Sequence, residues 1–298
     1  MRYVVFALNA VLQDPFERQR ERKLARYPRR IEDLIVEVRD PRNLSDSEAA
    51  EIRRLCAVAN MAVYASPLAD LADKDLARRL GERLGLARLQ ANPLADDDGI
   101  SSLEVAPEKS ARGYLPYSNR RLLWHTDGYY NALDRRILGM TLHCAQDAES
   151  GGENALLDHE IAYIQLRDAN PDYVAALMRP DAMTIPARMD EDNVARPEQS
   201  GPVFAVDPEQ GFLTMRYTAR TRSIVWKDDA ATRAAVKTLA DILAGSEYIL
   251  TARLAPGMGL VCNNVLHTRS AFSDSPEHRR LLYRGRYYDR LNFTARAA

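Results

Sequence analysis

Arg280-Leu281-Leu282-Tyr283-Arg284-Gly285-Arg286 is the stretch from which this chain is best read. In an extended backbone side chains alternate between the two faces of a sheet. Residues 280, 282, 284 and 286 therefore share one face, while Leu281, Tyr283 and Tyr287 take the other. A face with three arginines is costly to bury without anionic partners. It is either solvated or, inside a barrel, arranged to receive an anion. A guanidinium offers a carboxylate two parallel hydrogen bonds, which lysine cannot. Arg279 would face outward on such a strand, which leaves Arg280 pointing in.

Working outward, Leu260–His267 and Tyr248–Leu254 read as strands separated by the turn Pro256-Gly257-Met258-Gly259. Arg136–Ala145 reads as a central strand, Met61–Tyr64 as a buried one and Ile35–Val38 as a short one. Ser45 with Glu48 forms a capping box. The helix it opens places Ile52, Leu55, Cys56 and Ala59 on one face. A second helix over 73–87 carries Leu76, Leu80 and Leu84. Asp158 caps a third, Pro171 opens a fourth, and Asp228 caps a fifth that runs to Ala244, with Gly245 just past its end.

Helices gather before and between antiparallel strands, with no βαβ alternation and no G-x-G-x-x-G. The expected class is α+β with a β-sandwich core. One domain is expected over 1–298, with 1–45 as a charged N-terminal extension whose residues 13–30 form a solvated helix face. Polar residues 186–202 read as a lid, and the irregular stretch 91–120 as a wall of the site.

Composition excludes several classes of function. The chain has 41 basic and 42 acidic residues, so its net charge is −1. It has no basic stripe interleaved with aromatics, which argues against a nucleic-acid partner. Cys56, Cys144 and Cys262 stand far apart with no C-x-x-C, which fits a reducing compartment better than a disulfide scaffold. The apolar opening Met1–Leu12 is too short and too weakly flanked by charge for a signal peptide. No other run approaches the ~18 apolar residues of a spanning helix. A cytoplasmic protein without a membrane partner is expected; oligomeric state is not legible.

Leu123-Trp124-His125-Thr126-Asp127-Gly128-Tyr129-Tyr130 places an imidazole and a carboxylate two residues apart, hence on one face of extended backbone. His267 supplies a second imidazole far along the chain. Two imidazoles and one carboxylate on one face, with the opposite face open, suit non-haem Fe(II) that must also bind a cosubstrate and O2. His267 alone, at a strand end, would equally serve as a hydrogen-bonded structural residue. His143, His159 and His278 read as structural, and Tyr129 and Tyr130 as packing residues of a cavity wall.

Three separated blocks occur in order: Trp124-His125-Thr126-Asp127-Gly128, then Gly151-Gly152-Glu153-Asn154, then His267 followed by Arg280-x-x-x-Arg284. Together they resemble the taurine dioxygenase / clavaminate synthase-like superfamily over about residues 60–290. The resemblance implies an Fe(II)- and 2-oxoglutarate-dependent oxygenase on a double-stranded β-helix (jelly-roll) core with flanking helices. It implies His125, Asp127 and His267 as metal ligands and Arg280 as the clamp for the distal 2-oxoglutarate carboxylate. Arg284 would lie near cosubstrate or an anionic substrate group. Asn154 stands where taurine dioxygenase has a threonine, and its amide can donate a similar hydrogen bond. The implied reaction consumes O2, releases succinate and CO2, and most often hydroxylates. Arg284 and Arg286, with Arg216, Arg220 and Arg222, point to a small substrate bearing a carboxylate, sulfonate or amino-acid group. The alternatives are a cupin-type metal-dependent hydrolase or isomerase, which has no use for Arg280, and a non-catalytic jelly-roll binding protein.

Overall fold

The computed structural model describes residues 13–68, 72–90, 99–108, 114–190, 193–208, 210–222 and 224–291. The apolar opening, the acidic run at 96–98 and part of the expected site wall (91–98, 109–113) fall outside them. Within the described residues the chain packs as two units. One takes in 28–123, 137–156 and 250–291; the other takes in 13–27, 124–136 and 157–249.

A six-stranded sheet forms the centre of the first unit. Its order is Ile35–Glu37, Met61–Ala65, Met258–Cys262, Gly139–Gln146, Leu281–Tyr287, Ser101–Leu103. The first pair is parallel and the rest antiparallel. Met61, Ala62, Val63 and Tyr64 are wholly buried, as expected of an inner strand. Helix Asp46–Ala59 turns Ile52, Leu55, Cys56 and Ala59 into the core, and the Ser45/Glu48 capping box is present at its start. Helix Asp75–Arg83 is shorter than the expected 73–87, but Leu76, Leu80 and Leu84 are all buried. The tyrosine face of Leu281–Tyr287 meets this helix: Tyr287 Oη donates to the Ala77 carbonyl at 2.9 Å, and Tyr283 packs on Ala77 and Ile100. By alternation the arginine face is turned away from the helix.

The expected strand Leu260–His267 is in fact two. Met258–Cys262 stays in the six-stranded sheet, whereas Leu266–Arg269 joins a four-stranded one ordered Leu250–Ala252, Asn154–Leu157, Leu266–Arg269, Leu122–His125. The break has a local cause. Asn264 sits in the left-handed region (φ 50°), which asparagine tolerates better than most residues. Its amide donates to the Ile137 carbonyl at 2.8 Å, while Asn263 Nδ2 donates to Asn60 Oδ1 at 3.0 Å. Only the pair Asn263-Asn264 interrupts the apolar run from Leu260 to Leu266, which leaves a single strand the simpler reading of the sequence.

Gly259 makes the central sheet possible. A Cβ there would overlap the Leu142 carbonyl and the Tyr64 ring, which lies parallel to His143 (interplanar 5°) with its hydroxyl 2.8 Å from Nδ1. Gly259→Ala is expected to lower stability by about 2 kcal/mol, read as a shift in the urea midpoint at unchanged slope.

Helices dominate the second unit. Gln13–Arg26 does more than present a solvated face, since its cations reach across to neighbouring segments. Arg20 pairs with Asp168 at 2.7 Å, and Lys23, nearly buried, pairs with Asp158 and Glu160. Asp158 caps His159–Ala169 and Pro171 opens Pro171–Leu177, both as expected. The cap of Ala230–Gly245 is Asp229 rather than Asp228, because Asp229 accepts both Thr232 N (2.8 Å) and Thr232 Oγ1 (3.1 Å). Gly245 lies within that helix, not beyond it. Region 186–202 contains a hairpin, Arg188–Asp190 with Asn193–Arg196, and a strand, Gln199–Gly201, paired with Met183–Ile185. Among the described residues no helix is long and apolar enough to cross a membrane.

Candidate metal centre and cosubstrate cavity

His125 ends the strand Leu122–His125 and forms a bridge opposite Thr218. Thr126, wholly buried, is held from both sides. Its N–H donates to the Tyr217 carbonyl at 3.0 Å and its hydroxyl accepts Tyr217 N–H at 3.1 Å. With Thr126 fixed toward Tyr217, its neighbours His125 and Asp127 project to the opposite face. Asp127 is buried, and Gly128 takes φ 65° directly after it to turn the chain. The sequence motif is thus held by residues 217–219, a contact that no local signal announces.

His267 lies on Leu266–Arg269 and is buried. Its Nδ1 is 3.0 Å from the Val265 carbonyl. A carbonyl only accepts, so Nδ1 carries the proton and Nε2 keeps the lone pair a metal needs. Metal-ligating histidines are ordinarily oriented this way. His125 and Asp127 lie in the unit that takes in 124–136, and His267 in the one that takes in 250–291.

Arg280 is buried and Arg279 exposed, as the alternation required. The guanidinium of Arg280 lies 5.1 Å from the centre of the Phe272 ring, while its backbone N–H donates to Asp274 Oδ1 at 3.0 Å. Among the described residues no carboxylate hydrogen-bonds that guanidinium. Burial pushes its pKa down, with Cys144 and Asp274 partly opposing. It lines a small cavity with Gly151, Gly152, Asn154, Arg253 and Leu282. Gly151 and Gly152 both have positive φ, and a Cβ on Gly152 would come within 3.4 Å of Arg280 Nε.

The 151–155 segment is stitched to 268–271. Gly152 and Glu153 N–H donate to Ser270 Oγ at 2.9 and 3.1 Å, and Asn154 Nδ2 donates to the Thr268 carbonyl at 2.8 Å. That contact sets which way the Asn154 amide points and leaves its buried Oδ1 without a hydrogen-bond partner among the described residues. Only the second N–H of that amide remains to donate to a carboxylate. Arg253, which donates to the Ala148 carbonyl at 2.7 Å, is a cavity residue the sequence did not single out.

This donor set fits the groups the sequence implied. Two imidazoles and a carboxylate suit Fe(II), and a buried guanidinium without a carboxylate partner suits an organic anion. Residues 22–286 match the family described as taurine catabolism dioxygenase TauD, TfdA family. The chain belongs to that family. It is an enzyme, an oxygenase that uses iron and 2-oxoglutarate on a small molecule. Uridine-5'-phosphate dioxygenase of Amycolatopsis sp is 28% identical over 275 residues, 86% of this chain and 97% of that protein. Asparagine oxygenase bound to Fe(II), 3-hydroxyasparagine and succinate superposes with a TM-score of 0.57 at 16% identity, covering 81% of this chain and 78% of its own. The non-haem iron oxygenase OrfP with Fe and alpha-ketoglutaric acid gives 0.61 at 16% identity, with coverage of 82% and 80%. At that identity the two structures establish a shared fold.

Not every arginine of the dioxygenase singled out from sequence is available to a ligand. Arg216 is buried, and its guanidinium donates to the carbonyls of Tyr129 (3.4 Å), Gln199 (3.3 Å), Gly201 (3.1 Å), Pro202 (3.4 Å) and Met183. Burial lowers its pKa to about 10. It ties these segments together rather than binding substrate. Arg216→Met is expected to lower the dioxygenase's stability by about 3 kcal/mol through unsatisfied carbonyls, measured by denaturant melting, with the affinity for 2-oxoglutarate unchanged. Arg269, missed from sequence, acts similarly and donates to the carbonyls of Pro116 (3.3 Å), Ser118 (2.6 Å) and Arg120. Arg284 and Arg286 are buried on the arginine face.

Proposed function

We propose that His125, Asp127 and His267 hold the ferrous ion and that Arg280 clamps the distal carboxylate of 2-oxoglutarate, on a double-stranded β-helix core. The observation that carries this reading is the tautomer of His267, whose proton Val265 places on Nδ1 so that Nε2 keeps a lone pair for a metal, beside a His-x-Asp turn held by Thr126. When bound, iron and 2-oxoglutarate supply the oxidising chemistry, using O2 and releasing succinate and CO2. The residues of the chain bind and orient. Val265 sets the imidazole, Thr126 holds the His-x-Asp turn, and Arg280 meets a carboxylate in a low-dielectric cavity where a paired charge is strong. Asn154, through its second amide N–H, and Arg284 complete the polar lining. The outcome is hydroxylation of a small substrate with an anionic or zwitterionic group, in the cytoplasm. The relative named for uridine 5'-phosphate supports an anionic substrate.

The test is anaerobic addition of Fe(II) and 2-oxoglutarate to the full chain. A weak visible charge-transfer band is expected, followed by succinate once O2 is admitted. Protein that is folded yet forms no band would overturn the assignment of these residues.

A further inference from the structure

We infer that Arg188, Arg196 and Arg220, with Tyr129 and Tyr130, form the subsite for a phosphate monoester on the substrate. This rests on the oxygenase reading and narrows its anionic substrate to one class.

In the hairpin Arg188–Asp190/Asn193–Arg196, Arg196 stands directly across from Arg188. Cross-strand partners share a face, and like charges placed there repel. The repulsion is sharpened by burial. Arg196 is half-buried, donates once through Nη2 to the Pro186 carbonyl at 2.8 Å, and its buried Nη1 has no hydrogen-bond partner among the described residues. Desolvation lowers its pKa; Tyr129 and Tyr130 oppose that shift and Arg188 adds to it.

Tyr129 and Tyr130 follow the metal-binding Asp127 by two and three residues. Their rings meet edge to face, with centroids 5.2 Å apart at 81°. The Arg196 guanidinium lies 5.7 Å from the Tyr130 ring centre, and Arg220 Nη1 donates to the Tyr129 hydroxyl at 3.4 Å. Among the described residues neither Arg196 nor Arg220 forms an ion pair with an acidic side chain.

Arg196 and Arg220 bring two positive charges, more than one carboxylate balances, to the two adjoining tyrosines, and the Tyr129 hydroxyl adds a neutral hydrogen-bonding group. A phosphate monoester carries close to two negative charges at neutral pH and several acceptor oxygens, and guanidinium forks match it bidentately. The Arg196 Nη1, which lacks an acceptor among the described residues, would gain one from the ligand. The adjoining tyrosine rings offer an apolar, aromatic surface to the organic part of the same molecule.

The experiment is calorimetric titration of the full chain with inorganic phosphate, phenyl phosphate and uridine 5'-phosphate, each organic probe set against its unphosphorylated counterpart. At least one phosphomonoester is expected to bind at least tenfold more tightly than its counterpart. Arg196→Gln and Arg188→Gln should each erase about tenfold to hundredfold of that affinity. Arg196→Lys should fall between, since it keeps the charge and loses the fork. Arg233→Gln, on an exposed helix face, should change nothing. Melting curves show whether each variant is folded, and Arg188→Gln serves if Arg196→Gln is not. No binding of any phosphorylated probe, or an unchanged preference in folded Arg196→Gln and Arg188→Gln, overturns the inference. The anaerobic iron–2-oxoglutarate band is recorded on the same samples. If the band persists while phosphate preference is absent, only the subsite fails; if phosphate preference is present without the band, only the oxygenase assignment fails.

Discussion

Replacing His267 by alanine is expected to lower succinate formation about a thousandfold or more, equivalent to roughly 4 kcal/mol in the barrier, and to leave the purified chain without stoichiometric iron. The reason lies in the donor count. His125 and Asp127 alone offer two ligands, and a first-row divalent ion bound by only two protein side chains exchanges readily with solvent. The loss should be chemical rather than structural. Losing the Nδ1–H···O bond to the Val265 carbonyl costs about 1 kcal/mol, so the thermal midpoint should move by a few degrees at most. His267→Gln, which keeps polarity but not an imidazole lone pair at the same position, should be nearly as inactive. Iron content by metal analysis and succinate by chromatography are the readouts. Folded His267→Ala that retains a full equivalent of iron would remove this residue from the metal site.

Arg280→Met is expected to raise the concentration of 2-oxoglutarate needed for half-maximal turnover by about a hundredfold, near the loss of a charge-assisted pair worth roughly 3 kcal/mol. Methionine fills much of the space against Phe272 but presents no donor to a carboxylate. Arg280→Lys keeps the charge and should recover only part of the affinity, because an ammonium cannot form two parallel hydrogen bonds. The effect should fall on the half-saturating concentration more than on the maximal rate, since the clamp holds a part of the cosubstrate remote from the reacting atoms. Iron content should stay near wild type, which separates this variant from the ligand substitutions. Desolvation lowers the Arg280 pKa from a very high starting point, so the clamp remains cationic through the neutral range. Little pH dependence of 2-oxoglutarate affinity is therefore expected from this group.

What could be read in advance follows from which interactions are local. Period-two alternation in residues 280–286 already separated an arginine face from a tyrosine face, and the structure buries Arg280, Arg284 and Arg286 while Tyr283 and Tyr287 meet helix Asp75–Arg83. The capping box at Ser45, the cap at Asp158 and Pro171 at a helix start are likewise short-range, because each concerns a side chain and backbone groups within three residues. The blocks His125–Asp127, Gly151–Asn154 and His267–Arg280 pointed to iron and 2-oxoglutarate through their resemblance, in that order, to an oxygenase family whose model the chain matches.

Other features depend on partners from 14 to 203 residues away along the chain, and no periodicity encodes them. The break at Asn263–Asn264 rests on carbonyl and amide groups of Ile137 and Asn60. The role of Arg216 rests on carbonyls from 129, 183 and 199–202, so an arginine that reads as a substrate contact is a backbone tie. Asn154 reads as a free donor until Thr268 takes one of its N–H groups. The sequence by itself determined the kind of chemistry, since donor identity is a property of single residues. Only the tertiary structure decided which of the many arginines remain available to a ligand, because availability depends on whether the folded backbone brings carbonyl oxygens to the guanidinium first.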